Sequence, residues 1–219
     1  MFNRHHEPWL WKMIPLLNVG WQTTPDYSLG ERDTDVLSVI NDEDLTVFTF
    51  DGLKRRLGLH PETLSRILAR LEQEGILKKE LHGYRVMPKI TRFKLNPARS
   101  EEEHVPLLQT YLPSNTQVQH LIANLKGKWF GLLRWFGFSE TTAGVTMKWV
   151  TEDGGIQINA VIAESVLTIE AKFLRENNLN LALSASYQLM GHIGTLCSRS
   201  ASAKHVGFFD DSNVFLMPA

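Results

Sequence analysis

Apolar positions recur with a helical period in the first half of the chain and alternate with a strand period in the second. Leu64, Ile67, Leu68 and Leu71 fall at i, i+3, i+4 and i+7, which predicts an amphipathic helix over residues 61–74. Its ends are marked: Pro61 suits the first helical position, Glu62 sits where the helix dipole favours a negative charge, and Gly75 supplies a stop. Just upstream, Leu53 and Leu57 predict a short basic helix over 50–58, with Thr49 as its cap and Gly58 closing its last turn, after a β-prone segment at 46–48. Val36, Leu37, Val39 and Ile40 place an earlier helix over 33–40, ended by the polar run 41–44. Downstream, 76–81 and 84–87 read as two strands joined by a tight turn at His82-Gly83.

Helix, helix and hairpin in that order make a winged helix-turn-helix. The apolar stripe of the 61–74 helix leaves Glu62, Thr63, Ser65, Arg66 and Arg70 facing outward, residue types suited to base edges in a DNA major groove. Lys54 and Arg55 on the preceding helix, and Lys78, Lys79, His82 and Arg85 on the wing, are candidate phosphate contacts. The run Pro61-Glu62-Thr63-Leu64-Ser65-Arg66-Ile67-Leu68, with Arg70-Leu71-Glu72 and Gly75-Ile76-Leu77 after it, resembles the DNA-binding domain of the catabolite-activator and fumarate/nitrate-regulator superfamily. The resemblance covers residues 46–87. It implies that Glu62, Ser65 and Arg66 hold the places of a Glu-x-x-Ser-Arg pattern that reads bases. That superfamily puts a cyclic-nucleotide-like β-roll before its DNA-binding domain, and only some 45 residues precede this one, so its effector chemistry is not expected here. Nor is an iron-sulfur cluster, since Cys197 is the only cysteine.

Residues 88–115 read as a linker, with four prolines and an acidic run, although 90–95 could extend the wing sheet. Beyond it, Val118, Leu121, Ile122, Leu125, Trp129, Leu132, Leu133 and Phe136 keep helical spacing, interrupted by Gly127 and Gly131. Val145, Met147 and Trp149 alternate, as do Ile156, Ile158, Ala160 and Ile162, and then Leu167, Ile169, Ala171 and Phe173, with a turn at Asp153-Gly154-Gly155. A final helix is expected over 178–197, with short strands at 206–209 and 214–217. The fold class is therefore α+β: an arm at 1–32 bearing Trp9, Trp11 and Trp21, a winged helix at 33–95, a linker at 96–114, and at 115–219 an antiparallel sheet with two helices. The arm is expected to pack on its own chain or a sister subunit.

Charge sharpens this division. Residues 1–49 hold three Lys/Arg against eight Asp/Glu, residues 50–99 twelve against five, and residues 100–219 eight against eleven, so a net charge of −1 conceals a basic centre of +7. The carboxylate runs 42–44 and 101–103 read as solvated loops. His192 and Cys197 are five residues apart on a helix and do not share a face, so no metal site, cofactor or nucleophile is expected, and no catalysis. No stretch reaches the ~20 apolar residues of a membrane span. The run 9–19 is broken by Lys12, Pro15 and Asn18 and is read as retained rather than as a signal peptide, in a cytoplasmic protein.

These features together predict a regulator of transcription that binds double-stranded DNA as a homodimer. Phe130, Trp135 and Phe138 lie off the stripe that one helix over 118–136 would bury, so with Trp129 and Phe136 they are expected at the dimer interface. A hydrophobic effector pocket, or the Trp-rich arm, would absorb the same surplus. A winged-helix scaffold that binds protein, and a ligand-binding domain tethered to DNA, are the alternative readings.

Overall fold

The computed structural model describes residues 30–88, 104–114, 116–175 and 177–203. The expectations for the Trp-rich arm before residue 30, and for strands at 90–95, 206–209 and 214–217, lie outside the described residues.

The chain runs α1 (Glu31–Asp42), β1 (Val47–Phe48), α2 (Phe50–Leu57), α3 (Pro61–Gln73), β2 (Leu77–Glu80), β3 (Gly83–Val86), β4 (His104–Tyr111), α4 (Val118–Leu125), β5 (Leu133–Thr141), β6 (Gly144–Thr151), β7 (Ile156–Ala163), β8 (Val166–Phe173) and α5 (Leu179–Ala203). This is an α+β arrangement in which all eight strands form one antiparallel sheet, ordered β2-β3-β1-β5-β6-β7-β8-β4. The two-residue strand β1 is the seam: Val47 pairs with Arg85 of β3 on one side and with Phe138 of β5 on the other. Gly137 makes that seam possible, because a Cβ there would stand 2.4 Å from the Val47 carbonyl oxygen.

Strand alternation divides the apolar residues between two cores. Trp135, Phe138, Met147, Trp149, Ile158 and Ile169 point to one face, where α4 and α5 cover them. On the other face Phe136 and Val150 join Phe48, Leu53, Leu64, Ile67, Leu68 and Leu71 under α1–α3. The three N-terminal helices therefore close their core with the buried Phe136 and Val150 of the C-terminal half, and the half-buried Leu174 packs against it.

Two expectations are corrected. The stretch read as a linker contains β4, an eight-residue edge strand paired with β8 through a register shift between Pro106 and Leu108. A proline tolerated on an edge strand does not end it, because the missing N–H costs no ladder bond on the open side. The helical spacing over 118–136 breaks after Leu125: Gly127 and Gly131 take φ of 74° and 55°, the chain reverses, and β5 begins at Leu133. A bulge between Trp135 and Gly137 then sends Trp135 and Phe138 to one core and Phe136 to the other. Phe130, Trp135 and Phe138 are thus buried within their own chain, which removes the reason for placing them at a dimer interface. Trp129 alone of that group stays exposed, with the Arg134 guanidinium 4.7 Å over its ring.

Candidate nucleic-acid interface

Helix α3 buries Leu64, Ile67, Leu68 and Leu71 and turns Glu62, Ser65, Arg66 and Arg70 to solvent, with Thr63 half-buried at the edge of that face. His60 precedes the helix in extended backbone and Pro61 occupies the first turn. Thr49 caps α2 by accepting from the Gly52 N–H, and Gly58 closes it in the left-handed conformation, so the turn into α3 is fixed at both ends. Ala69 and Gln73 share the exposed face of α3 and were missed in the sequence; continuing the i, i+4, i+7 progression from Glu62 and Arg66 would have found them.

The outward residues are not equivalent. Arg66 donates to Glu62 across one turn at 2.5 Å, with the two side chains 76% and 66% exposed, so both remain open to a partner. Arg70 instead donates to Asp33 of α1 at 2.7 Å, and the Asp33 carboxylate, almost fully buried, also accepts from the Gly30 N–H. Arg70 thereby ties α3 to α1. On α2, Lys54 pairs with Asp51 of its own helix, and Arg55 is half-buried where the β6–β7 turn abuts the helix backbone at Gly154.

Register sorts the hairpin cations onto two faces. Lys79 lies opposite Tyr84, which stacks on Phe48 of the α1–α3 core, and the Lys79 N–H donates to Glu72 of α3. Lys79 therefore stands beside α3. Lys78 lies opposite Arg85, which shares its face with Phe138, so both cations face the α4 side of the sheet. There Arg85 bonds Glu80, and this contact above all holds the Glu80 carboxyl below its usual value, helped by Lys126 and Lys78. Lys126, at the end of α4 and 5.8 Å over the Phe138 ring, extends this basic strip from the C-terminal half; nothing in the sequence signalled its position. The hairpin loop is Leu81-His82, with Gly83 already paired to Glu80, and both loop side chains project into solvent.

Behind the α1–α3 unit sits a buried ionic cluster. Glu43, at the end of α1 in a run read as a solvated loop, is only 2% exposed. It accepts from Lys148 of β6 at 3.0 Å, from Lys172 of β8 at 2.6 Å and from Gln157 of β7 at 2.7 Å, and Arg56 of α2 stands at 3.5 Å. Burial pushes the Glu43 carboxyl up, but the two lysines outweigh it and, with the hydrogen bonds from Lys172 and Gln157, hold it at about 2. The carboxylate thus joins the helices that carry α3 to three strands of the sheet. The correction has a physical reason: alternation places Lys148, Gln157 and Lys172 on the face opposite Met147 and Ile158, and the charge of the two lysines must be matched once they are buried.

No protein-family model, curated protein or solved structure matches the chain. Among the described residues, no group of His, Cys, Asp and Glu side chains is arranged to hold a metal ion, and no helix is long and apolar enough to cross a membrane. His192 packs its ring 4.6 Å from that of Phe130.

Proposed function

We propose that the chain is a sequence-specific DNA-binding regulator of transcription, acting as a homodimer, in which α1–β1–α2–α3–β2–β3 serves as a winged helix-turn-helix. The order of elements and the pairing of β1 with β3 suit that fold. The observation that carries the reading is the outer face of α3, where Glu62, Ser65 and Arg66 are exposed on a helix whose opposite face is firmly packed. Arginine can donate to guanine O6 and N7 and glutamate can accept from cytosine N4, so the Glu62–Arg66 pair is equipped to read neighbouring bases. Lys79, beside α3, makes no ion pair among the described residues and is placed to meet a phosphate when that helix lies in the major groove.

Gel shift with random genomic duplexes tests this reading. Retention of specific fragments that survive competitor DNA supports it, and binding that is absent or indifferent to sequence opposes it. A second reading, in which the C-terminal half senses a small apolar molecule, has one location in its favour: an open groove of about 400 Å³ between the end of β4 and α5, walled by Leu112, Leu167, Met190, Ile193 and Cys197. A thermal-shift screen of hydrophobic compounds on the intact chain tests it; no compound raising the melting temperature would count against it.

A further inference from the structure

Glu62, Arg66 and Arg70 stand at i, i+4 and i+8, one row along the outward face of α3. The row changes character along its length. Arg66 and Glu62 hold each other, and both side chains are mostly in solvent. Arg70 is held from the body of the protein: its Nη2 donates at 2.7 Å to Oδ1 of Asp33, a carboxylate only 1% exposed, whose Oδ2 accepts from the Gly30 N–H at 2.9 Å. Asp33 therefore closes the start of α1 with one oxygen and fixes a guanidinium with the other.

A tie between two helices needs only one of the five N–H donors of an arginine. The Arg70 side chain is 47% exposed, and Asp33 is its one hydrogen-bond partner among the described residues. The unused edge of the guanidinium is thus turned outward, oriented by a carboxylate that is itself anchored through both oxygens. Position decides what that edge meets. A recognition helix presents its base-reading side chains from its N-terminal end. Arg70 lies in the last turn, about 12 Å along the axis from Glu62, a length that matches the ~12 Å width of the major groove. With Glu62 and Arg66 at base edges, Arg70 reaches the wall of the groove, where the acceptors are phosphate oxygens.

We propose that Arg70 is a phosphate contact and that Asp33 is its positioning residue, one edge of the guanidinium gripping Asp33 and the other a phosphate beside the major groove. Helical spacing alone put Arg70 among the base-reading residues and gave Asp33 no role; the ion pair reassigns both. The planar fork suits this double duty, since its donors diverge in one plane and a phosphate accepts two of them. An arginine held in advance also loses little rotamer freedom on binding, whereas a free side chain loses it at that moment.

The inference rests on the DNA reading of α3, and phosphate ethylation interference on a duplex selected by the intact wild-type chain tests the two apart. Wild type should show a set of phosphates whose ethylation hinders binding. In the double variant Asp33→Asn/Arg70→Ala one of them per bound chain should drop out, with the other marks and the sequence motif retained and affinity lower by about tenfold. Removing both partners leaves the net charge unchanged and strands no buried carboxylate, so the loss of a single mark reports a contact. Asp33→Asn alone keeps the cation without its orientation, and should weaken the same mark and lower affinity about threefold to tenfold. Should the double variant fail to fold, as judged by circular dichroism, Arg70→Gln decides: its amide can still donate to Asp33 but brings no charge to a phosphate, and the same mark should vanish. The full set of marks in the double variant or in Arg70→Gln overturns the proposal and leaves the DNA reading standing. So does wild-type affinity in Asp33→Asn, or a changed motif in place of a lost mark. A wild-type chain that selects no duplex overturns both.

Discussion

Arg66 and Glu62 form an exposed i, i+4 pair, an interaction worth only ~0.2–0.5 kcal/mol to a helix. Replacing Arg66 with Ala should therefore leave the denaturation midpoint almost unmoved while erasing preference at one operator position by ~1–3 kcal/mol, as read by competition between duplexes differing at single base pairs. Lys79 should behave differently from Lys78. Lys79→Ala should weaken all sequences alike and reduce the slope of log affinity against log salt by about 0.9, the value for one lost phosphate contact. Lys78, on the opposite face of the hairpin, should shift that slope less. Glu43 lies at the other extreme of burial. Its carboxyl is held at about 2 in the fold against 4.5 ordinarily, so its contribution is fully present above pH 4.5 and is lost as the pH falls towards 2. Glu43→Gln leaves Lys148 and Lys172 buried beside a neutral amide and should cost about 3–5 kcal/mol above that window, with the gap to wild type narrowing in acid urea melts.

At the scale of elements, β4 tests how firmly the far edge of the sheet is held. His104 at its start donates its Nδ1–H to the Glu170 carboxylate of β8 at 2.6 Å, and this hydrogen bond, against the opposing effect of burial, raises the imidazole above its ordinary 6.5. A raised value means that the stabilisation is complete below pH 6.5 and disappears as the pH climbs through the folded value. Protection of the β4 amides, taken relative to their intrinsic exchange rates at each pH, should fall accordingly in alkaline solution, and His104→Asn should remove that fall; an unchanged fall in that variant would assign the effect elsewhere. Much of the α1–α3 region and the β6–β8 meander was legible in the sequence, because Leu64 to Leu71 keep a helical period and each of the runs 145–149, 156–162 and 167–173 keeps strand alternation between clear turns. The segments β4 and β5 were not. Pro106 and the acidic residues before it obscured an edge strand, and the aromatic run 129–138 fits a helical stripe as well as a bulged strand until the two left-handed glycines are seen. The outward face of α3 could be read from spacing alone. The buried role of Glu43 could not, since it depends on side chains more than a hundred residues away.

For the whole molecule the consequence is mechanical continuity. One sheet runs from the hairpin beside α3 to β4, and Phe136 and Val150 complete the core beneath the helices that present Arg66. Phe136→Ala should cost ~3–5 kcal/mol, a value typical of a deleted core aromatic. Tryptophan fluorescence, to which the buried Trp135 and Trp149 contribute among the chain's six tryptophans, and the helical dichroism signal, which comes from both halves, should melt in one shared transition in wild type, because Phe136 and Val150 are needed to close the core under α1–α3. Separate transitions would show that the halves fold independently. Whether the exposed face of α3 reads DNA is decided by selecting bound sequences from a random duplex pool, in parallel for wild type and Arg66→Ala. Wild type should enrich a motif, and the variant should lose preference at one position of it. No enriched motif, or the same motif from both proteins, would contradict a DNA-reading role for this helix.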